Sequence, residues 1–268
     1  ALPVLGSLLA TMSTVDLTYH LRAGAEILDT RTLPTVDTWT FTASGLPWTD
    51  QQWAAQVVLR LTETLGGWTG LAVLRAVLIG VIFAILLTIS RRRGLDERTA
   101  ALLTLAAFAV ALPTLALRPQ LFGLVCFAVV LLLVTDRRAH PGRIWLVPLI
   151  VAIWANLHGS FFLGPIVLGL AWLEDVHDRV PSPHRLLVVA AVSVGAACLT
   201  PLGPGVWLYA VGLSLNPEVT ARITEWRPTS LRDVPGVLFY ASALGIVVLM
   251  ARRGRVTPWP TLAWLGLF

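Results

Sequence analysis

The chain alternates long apolar runs with short polar segments, and the apolar runs have the length of membrane-spanning helices. A helix that crosses the hydrocarbon core of a bilayer needs about 20 residues. The predicted spans are residues 1–15, 71–90, 99–117, 119–135, 186–200, 236–251 and 257–268, together with a longer apolar run over 144–173. We therefore predict an all-α polytopic transmembrane bundle of about nine spans or half-spans, built as one transmembrane domain over residues 1–268.

Clusters of arginine separate these apolar runs and predict their orientation. They are Arg91, Arg92, Arg93 and Arg98; Arg137, Arg138 and Arg143; Arg179 and Arg185; and Arg252, Arg253 and Arg255. Basic residues concentrate in the cytoplasmic loops of membrane proteins, so we place all four clusters in the cytoplasm. The extracytoplasmic connections are then 16–70, the tight turn at Arg118 and 201–235.

The apolar run over 144–173 begins and ends in predicted cytoplasmic loops, so it must enter the membrane and return. Its centre carries Asn156, His158, Gly159 and Ser160, which predict the tip of a hairpin. Polar backbone at membrane depth is tolerated only where it lines a cavity or is buried in protein. We predict that this tip forms the floor of a cleft open to the outside. A simpler alternative, compatible with the first, is that Gly159 permits the turn and Asn156 caps a helix.

Composition supports a membrane protein. The chain is 56% hydrophobic and 13% charged with a mean hydropathy of +0.76, whereas soluble domains are about 25% charged. Its net charge of +5 does not indicate nucleic-acid binding, because the placement of the twenty basic residues, all arginines, between the apolar runs matters more than their sum. Cys126 and Cys198 lie in apolar runs without metal-ligand spacing, which predicts small buried side chains. Both ends of the chain lie in apolar runs, so we expect a fragment of a longer protein.

The first extracytoplasmic loop carries two predicted amphipathic helices. Asp16 and His20 are four residues apart and share one face of the first helix. The second helix covers 50–65; Thr49 and Gln52 predict a capping box at its start, and Gly66-Gly67 predicts its end. Its apolar stripe suits a position in the membrane interface.

These features resemble the GT-C class of polytopic glycosyltransferases, which includes the protein O-mannosyltransferases and the bacterial aminoarabinose-to-lipid-A transferases. The matching features are the D-x-x-Y-x-L pattern of Asp16, Tyr19 and Leu21, the turn at Pro34, and the tryptophan-bearing helix over 50–65. The resemblance implies a sugar donor carried on a polyprenyl phosphate and transfer on the extracytoplasmic face of a bacterial plasma membrane. It assigns Asp16 as the catalytic residue, either as general base or as the carboxylate that orients the acceptor.

The donor phosphate needs cationic or hydrogen-bonding partners, and the sugar needs polar and aromatic ones. The predicted substrate-binding residues are His20, Arg118, Asn156, His158, Glu225, Trp226 and Arg227. Two alternatives stay open: Arg118 extends to lipid headgroups, and Asp16 caps a helix. No cofactor is predicted, although a divalent metal held by Asp16, His20 and Glu225 is a further alternative.

Two other functions fit the same sequence. Many GT-C members carry two adjacent acidic residues where this chain has Asp16 and Leu17, which leaves open a non-catalytic multi-pass scaffold or assembly subunit. A lipid or solute transporter is the other alternative, although transporters commonly show internal repeats and mid-membrane ionisable groups that this sequence lacks. The expected partners are the lipid bilayer and a polyprenyl-phosphate sugar donor, without nucleic acid.

Overall fold

The computed structural model describes residues 2–9, 16–217, 230–232, 234–252 and 257–267. These residues are helical apart from their connections, and they contain no β-strand beyond one antiparallel bridge between Val36 and Pro47. The α-helices are α1 (Leu2–Leu9), α2 (Leu17–Thr30), α3 (Trp53–Arg92), α4 (Glu97–Ala111), α5 (Pro119–Thr135), α6 (Val147–Leu157), α7 (Leu163–His177), α8 (Arg185–Ala196), α9 (Gly205–Leu215), α10 (Val234–Arg252) and α11 (Trp259–Leu267). Single 3-10 turns cover Leu112–Thr114, Arg143–Leu146 and Gly159–Phe162. The predicted all-α class is confirmed.

Two helical segments within the described chain are long and apolar enough to cross a membrane, Trp53–Arg92 and Gly159–His177. Only 28% and 33% of the residues in their most apolar windows are buried. A core helix of a soluble protein would be mostly buried, so the exposed apolar surface favours lipid as the surroundings. The other apolar helices are shorter, at 10–17 residues. By length and composition the structure supports two spans, and the predicted bundle of about nine spans or half-spans stays a prediction.

Helix α3 bends sharply at Gly67, whose backbone has a left-handed φ of 56° with ψ of −152°. A Cβ placed on Gly70 would lie 2.9 Å from the carbonyl oxygen of Thr62, whereas eight residues of straight helix span about 12 Å. The segment before the bend is therefore a separate arm, and the predicted helix end at Gly66-Gly67 is confirmed. The predicted capping box is wrong, because the helix begins at Trp53 and Gln52 makes no side-chain cap hydrogen bond.

The apolar run over 144–173 turns back on itself. It begins a few residues after Arg137, and near its far end Asp175 accepts a 2.7 Å hydrogen bond from that same arginine. Between these two points α6 ends at Leu157, and the backbone of the next residue, His158, is extended with φ of −160° and ψ of 145°. After the turn, Gly164 packs against Val151, since a Cβ on the glycine would lie 2.6 Å from the valine Cγ2. This is the hairpin that the arginine pattern predicts.

The bundle has two chemically different ends, which lie at the two ends of α5. At the C-terminal end of α5, Arg92 pairs with Asp136, and Arg137 and Arg185 line one shared cavity. Three of the four arginine clusters predicted to be cytoplasmic are therefore represented at this end, which we call the arginine end. Arg118 precedes the N-terminus of α5 and marks the other end.

The segment 201–235 differs from its prediction as a loop, because it contains the apolar helix α9. Val206 of this helix is fully buried, and the Trp207 ring lies 4.9 Å from the Phe161 ring. The indole of Trp207 also donates a 3.2 Å hydrogen bond to the carbonyl of Val194 in α8. Helix α9 therefore packs onto the hairpin and α8.

Both cysteines are free, Cys126 buried and Cys198 half-buried.

Candidate functional site

Asp16 and Arg118 form an ion pair at the Arg118 end of the bundle. The Arg118 Nη2 lies 3.3 Å from the Asp16 Oδ2, and the side chains are 28% and 46% exposed. Asp16 immediately precedes α2 but makes no side-chain cap hydrogen bond, which argues against the capping alternative. Arg118 faces Asp16 rather than extending alone toward lipid. Two residues that the sequence predicts as site residues, 102 positions apart, are therefore in contact.

His20 lies beside this pair on the buried face of α2. That face packs closely on α3, since a Cβ on Gly24 would lie 2.3 Å from the carbonyl oxygen of Gln56. Burial lowers the pKa of His20 to about 4, helped by Arg118 and His158 nearby, which would repel a protonated imidazole, so the ring is neutral at pH 7. Its Nδ1 atom is buried and has no hydrogen-bond partner within the described chain. His20 can therefore donate to or accept from a ligand without adding charge.

The hairpin tip brings His158 to the same place. The backbone N–H of Ser160 donates a 3.2 Å hydrogen bond to the His158 Nδ1, which assigns the ring proton to Nε2. The Ser160 hydroxyl also lies 2.8 Å from this nitrogen. A Cβ on Gly123 of α5 would lie 3.2 Å from the His158 Cβ, so the histidine faces protein. His158 therefore packs against protein, and the predicted polar cavity at this tip stays a prediction.

Asn156 has a structural role at the tip. Its Oδ1 accepts a 2.9 Å hydrogen bond from the indole of Trp53, and its Nδ2 donates to the carbonyls of Ala152 and Leu199 at 2.8 and 2.9 Å. Both amide protons are therefore committed to protein partners. Asn156 joins the hairpin to α3 and to the segment that follows α8, so its side chain is held by protein rather than free for the predicted substrate contact.

The segment before α3 docks on this tip and contains polar residues that sequence reasoning overlooked. Gln51 donates a 2.6 Å hydrogen bond from Nε2 to the carbonyl of Ala155. With the bond between Trp53 and Asn156, this contact joins W-T-D-Q-Q-W to W-A-N-L-H-G-S across about 100 residues of sequence. The sequence does carry a signal for this site, because the polar residues 50–52 stand between Trp48 and Trp53 immediately before an apolar helix.

Asp50 is the main residue of the site that the sequence did not reveal. It is 7% exposed, and its carboxylate accepts a hydrogen bond from the Gln52 backbone and a 3.0 Å hydrogen bond at Oδ1 from the Gln56 Nε2. Its Oδ2 is buried without a side-chain or geometric hydrogen-bond partner among the described residues. Gln56 is fully buried, and its Oε1 is likewise unpartnered there. Burial raises the pKa of Asp50 to about 6.

The raised pKa of Asp50 makes stability depend on pH. Between its ordinary value near 4 and about 6, the folded chain binds this proton more tightly than the unfolded chain. The contribution to stability is therefore complete below pH 4 and is lost as the pH rises through about 6. At neutral pH the fold holds a buried carboxylate with one unpaired oxygen, an arrangement that costs free energy unless a ligand donates to it.

Three aromatic rings pack together, and one of them, Tyr19, lies close enough to Asp50 to be affected by its charge. The ring centres of Tyr19 and Trp48 are 5.9 Å apart, and those of Trp39 and Trp48 are 5.4 Å apart, both edge-on. The indole of Trp39 is fixed by a 2.8 Å hydrogen bond to Glu26, whereas the buried indole nitrogen of Trp48 has no partner in the described part of the chain. Burial, with the charge of Asp50 nearby, raises the pKa of Tyr19, so its hydroxyl stays protonated.

Another carboxylate of the first extracytoplasmic loop, Asp37, and the remaining predicted residues have different outcomes. Asp37 is buried in a turn, where its carboxylate accepts hydrogen bonds from the Trp39 and Thr40 backbones and the Thr40 hydroxyl, so it is occupied structurally. The described residues contain no group of three or more potential metal ligands. Glu225, Trp226 and Arg227 lie outside the described residues, as does the metal alternative that includes Glu225.

No family model, curated protein or solved structure matches the chain. Four of the side chains described above lie together and are called the Asp16 cluster: Asp16, His20, Arg118 and His158. It combines a carboxylate, a guanidinium and two imidazoles, a set that can take up a proton and bind an anion.

Proposed function

We propose that the chain is a membrane glycosyltransferase that moves a sugar from a polyprenyl-phosphate donor to an acceptor on the extracytoplasmic face. The observation that carries the proposal is the Asp16–Arg118 ion pair with His20 and His158 beside it. Transfer of this kind needs a carboxylate for the acceptor proton and cationic or N–H partners for the departing phosphate. The Asp16 cluster contains both.

The proposed chemistry uses each member of the cluster. Asp16 takes the proton of the acceptor hydroxyl while that oxygen attacks the anomeric carbon of the donor sugar. The bond from the anomeric carbon to the phosphate oxygen breaks, and polyprenyl phosphate leaves with the electron pair. Arg118 and the Nε2–H of His158 bind the phosphate. A phosphate that competes for Arg118 also loosens the ion pair and makes the Asp16 carboxylate available to the acceptor.

The membrane placement rests on the two ends of the bundle. The arginine end is proposed to face the cytoplasm, which puts the Asp16 cluster at the opposite, extracytoplasmic interface of a bacterial plasma membrane. We propose about nine spans or half-spans, in which the shorter apolar helices cross incompletely or pair with others. The hairpin over 144–173 is one such pair of half-spans.

Cysteine labelling tests this orientation. Ser44 and Ser182 are both exposed, and they lie in segments assigned to opposite faces. In a background with Cys126 and Cys198 replaced by alanine, we expect Ser44→Cys to react with an impermeant maleimide in intact cells. Ser182→Cys should react only after the cells are permeabilised. Reaction of both from the same side would contradict the topology.

Arg118→Ala is expected to weaken binding of a polyprenyl-phosphate sugar by about tenfold or more, with acceptor binding unchanged. A hydrogen bond to a charged group contributes about 1.5–3 kcal/mol, and 1.4 kcal/mol is a factor of ten in affinity. Titration of the purified full chain in nanodiscs with a short-chain polyprenyl-phosphate hexose measures this. The control is Arg22→Ala, which removes an exposed arginine of α2. Equal loss for donor and acceptor, or no loss, would contradict a phosphate-binding role.

Turnover tests the function as a whole. The same nanodiscs are incubated with a panel of polyprenyl-phosphate pentoses and hexoses, and release of polyprenyl phosphate is measured. We expect release from at least one donor. Vesicle flux of the donor without its cleavage would favour a transporter, and neither activity would favour a scaffold.

A further inference from the structure

We propose that Trp48, Asp50 and Gln56 form a subsite for the hydroxyl groups of a monosaccharide ring. We call these three residues the Asp50 subsite. Its occupant is the sugar carried by the donor, so the inference rests on the proposed transferase and names where that sugar lies. The Asp50 subsite is separate from the Asp16 cluster, and sequence reasoning assigned none of its residues.

Three unpaired polar atoms define the subsite. The Asp50 Oδ2 and the Gln56 Oε1 are acceptors and the Trp48 Nε1 is a donor, all buried and without partners in the part of the chain that the structure describes. Native proteins pair the great majority of buried polar atoms, so three unpaired atoms within nine residues indicate a ligand. A hydroxyl group can donate to a carboxylate or amide oxygen and accept from an indole N–H. Neighbouring hydroxyls of a sugar ring supply both functions.

The charge and geometry of the subsite favour a neutral polyol over an ion. The Asp50 carboxylate, with its neighbouring amide oxygen of Gln56, repels phosphate. A metal is disfavoured because no group of three or more ligating side chains occurs among the described residues. The hydrogen bond from the Gln56 Nε2 to the Asp50 Oδ1 also fixes which atoms remain available. Under the proposal, sugar hydroxyls donate to the Asp50 Oδ2 and the Gln56 Oε1 and accept from the Trp48 Nε1.

The aromatic rings complete the subsite with an apolar wall. Trp48 packs edge-on against Tyr19 and Trp39, and Trp39 is held in place by Glu26. Sugar rings present C–H groups on their faces as well as hydroxyls at their edges, so they suit a site with aromatic surface beside polar atoms. Acceptors for the hydroxyls and a wall for the ring are therefore both present.

Helix α2 places this subsite next to the proposed phosphate site. Tyr19 interacts with Asp50 and Gln56, and its ring centre lies 4.2 Å from that of His20. His20 in turn lies close enough to Arg118 and His158 for their charges to lower its pKa. One donor can therefore place its phosphate at Arg118 and its sugar at Asp50, with consecutive residues of α2 between the two.

Saturation-transfer NMR tests the subsite without any lipid phosphate. The purified full chain in nanodiscs is titrated with a panel of methyl glycosides of pentoses and hexoses. We expect at least one glycoside to bind the wild type, and we expect Asp50→Asn to weaken the affinity for that glycoside about tenfold or more. Loss of a hydrogen bond to a charged group costs about 1.5–3 kcal/mol, and 1.4 kcal/mol is a factor of ten in affinity. Asp29→Asn, a change at an exposed carboxylate of α2, should bind as wild type.

A second variant and a folding control keep the outcome decisive. Trp48→Phe keeps an aromatic ring but removes the indole N–H, and it should also weaken the glycoside. Wild type should lose thermal stability as the pH rises through about 6, and Asp50→Asn should not. If Asp50→Asn does not fold, the result for Trp48→Phe decides. No glycoside binding by the wild type, or unchanged binding in the folded variants, overturns the subsite. Glycoside binding by a protein without transfer activity would support the subsite and refute the transferase.

Discussion

Replacing Asp16 by asparagine is expected to slow sugar transfer at least about a hundredfold while the protein still inserts, purifies and melts as the wild type does. Loss of a general base commonly costs about 10²- to 10⁴-fold in rate. The stability cost should be small, because the Asp16 side chain is 46% exposed and its ion pair with Arg118 is accessible to solvent. Asparagine keeps the shape of the carboxylate and removes its basicity.

The measurement is single-turnover release of polyprenyl phosphate at saturating donor, with donor binding measured in parallel. Asp29→Asn provides the matched control on the same helix, because its carboxylate is exposed. Turnover close to wild type in Asp16→Asn would remove Asp16 from the proton transfer. Asp50 would then be the better candidate than Asp37, since one Asp50 oxygen is unpaired among the described residues and Asp37 is held in a turn.

The apolar pattern predicted the helices well where polar residues separate one apolar run from the next. Helix α5 occupies the predicted 119–135, because Pro119 suits the first helical position and the charged run from Asp136 follows the last. The hairpin was predictable because arginine clusters on both sides of 144–173 forced the chain to return. Helix α9 was missed because prolines and polar residues around it marked the whole segment 201–235 as a loop.

The site could be predicted only in part, because its contacts join distant residues. The sequence placed Asp16 and Arg118 at one interface, but their contact follows from the packing of α3 against both α2 and α5. Asp50 precedes α3 in a stretch with the pattern of an exposed helix start. Asp50 is instead buried and bonded to Gln56, while its neighbour Gln51 docks on the hairpin tip, so tertiary contacts override the local capping signal of Thr49 and Gln52. No local pattern encodes that burial.

At the opposite end, Arg137→Met is expected to destabilise the fold by about 3 kcal/mol or more. The Arg137 side chain is 2% exposed and donates to both oxygens of Asp175, at 2.7 and 3.1 Å, and to Glu174 at 3.0 Å. Without Arg137, the buried Asp175 carboxylate loses the positive charge and the two hydrogen bonds that this arginine supplies. Thermal and denaturant unfolding of the purified full chain measure the change.

Arg138→Met is the control for this effect, because the Arg138 side chain also contacts Asp175 but is 41% exposed. Its cost should be about 1 kcal/mol or less. A double variant, Arg137→Met with Asp175→Leu, should recover most of the stability, since it removes the charge left unpaired. A cost for Arg137→Met no larger than that for Arg138→Met would show that the hydrogen bonds of Arg137 with Asp175 and Glu174 contribute little to stability.

The folded fraction of Arg137→Met should carry out the proposed sugar transfer at the wild-type rate, because the arginine end lies at the other end of α5 from Asp16. Asp16→Asn is expected to do the reverse, and this opposite pair of results would assign stability to one end of the bundle and chemistry to the other.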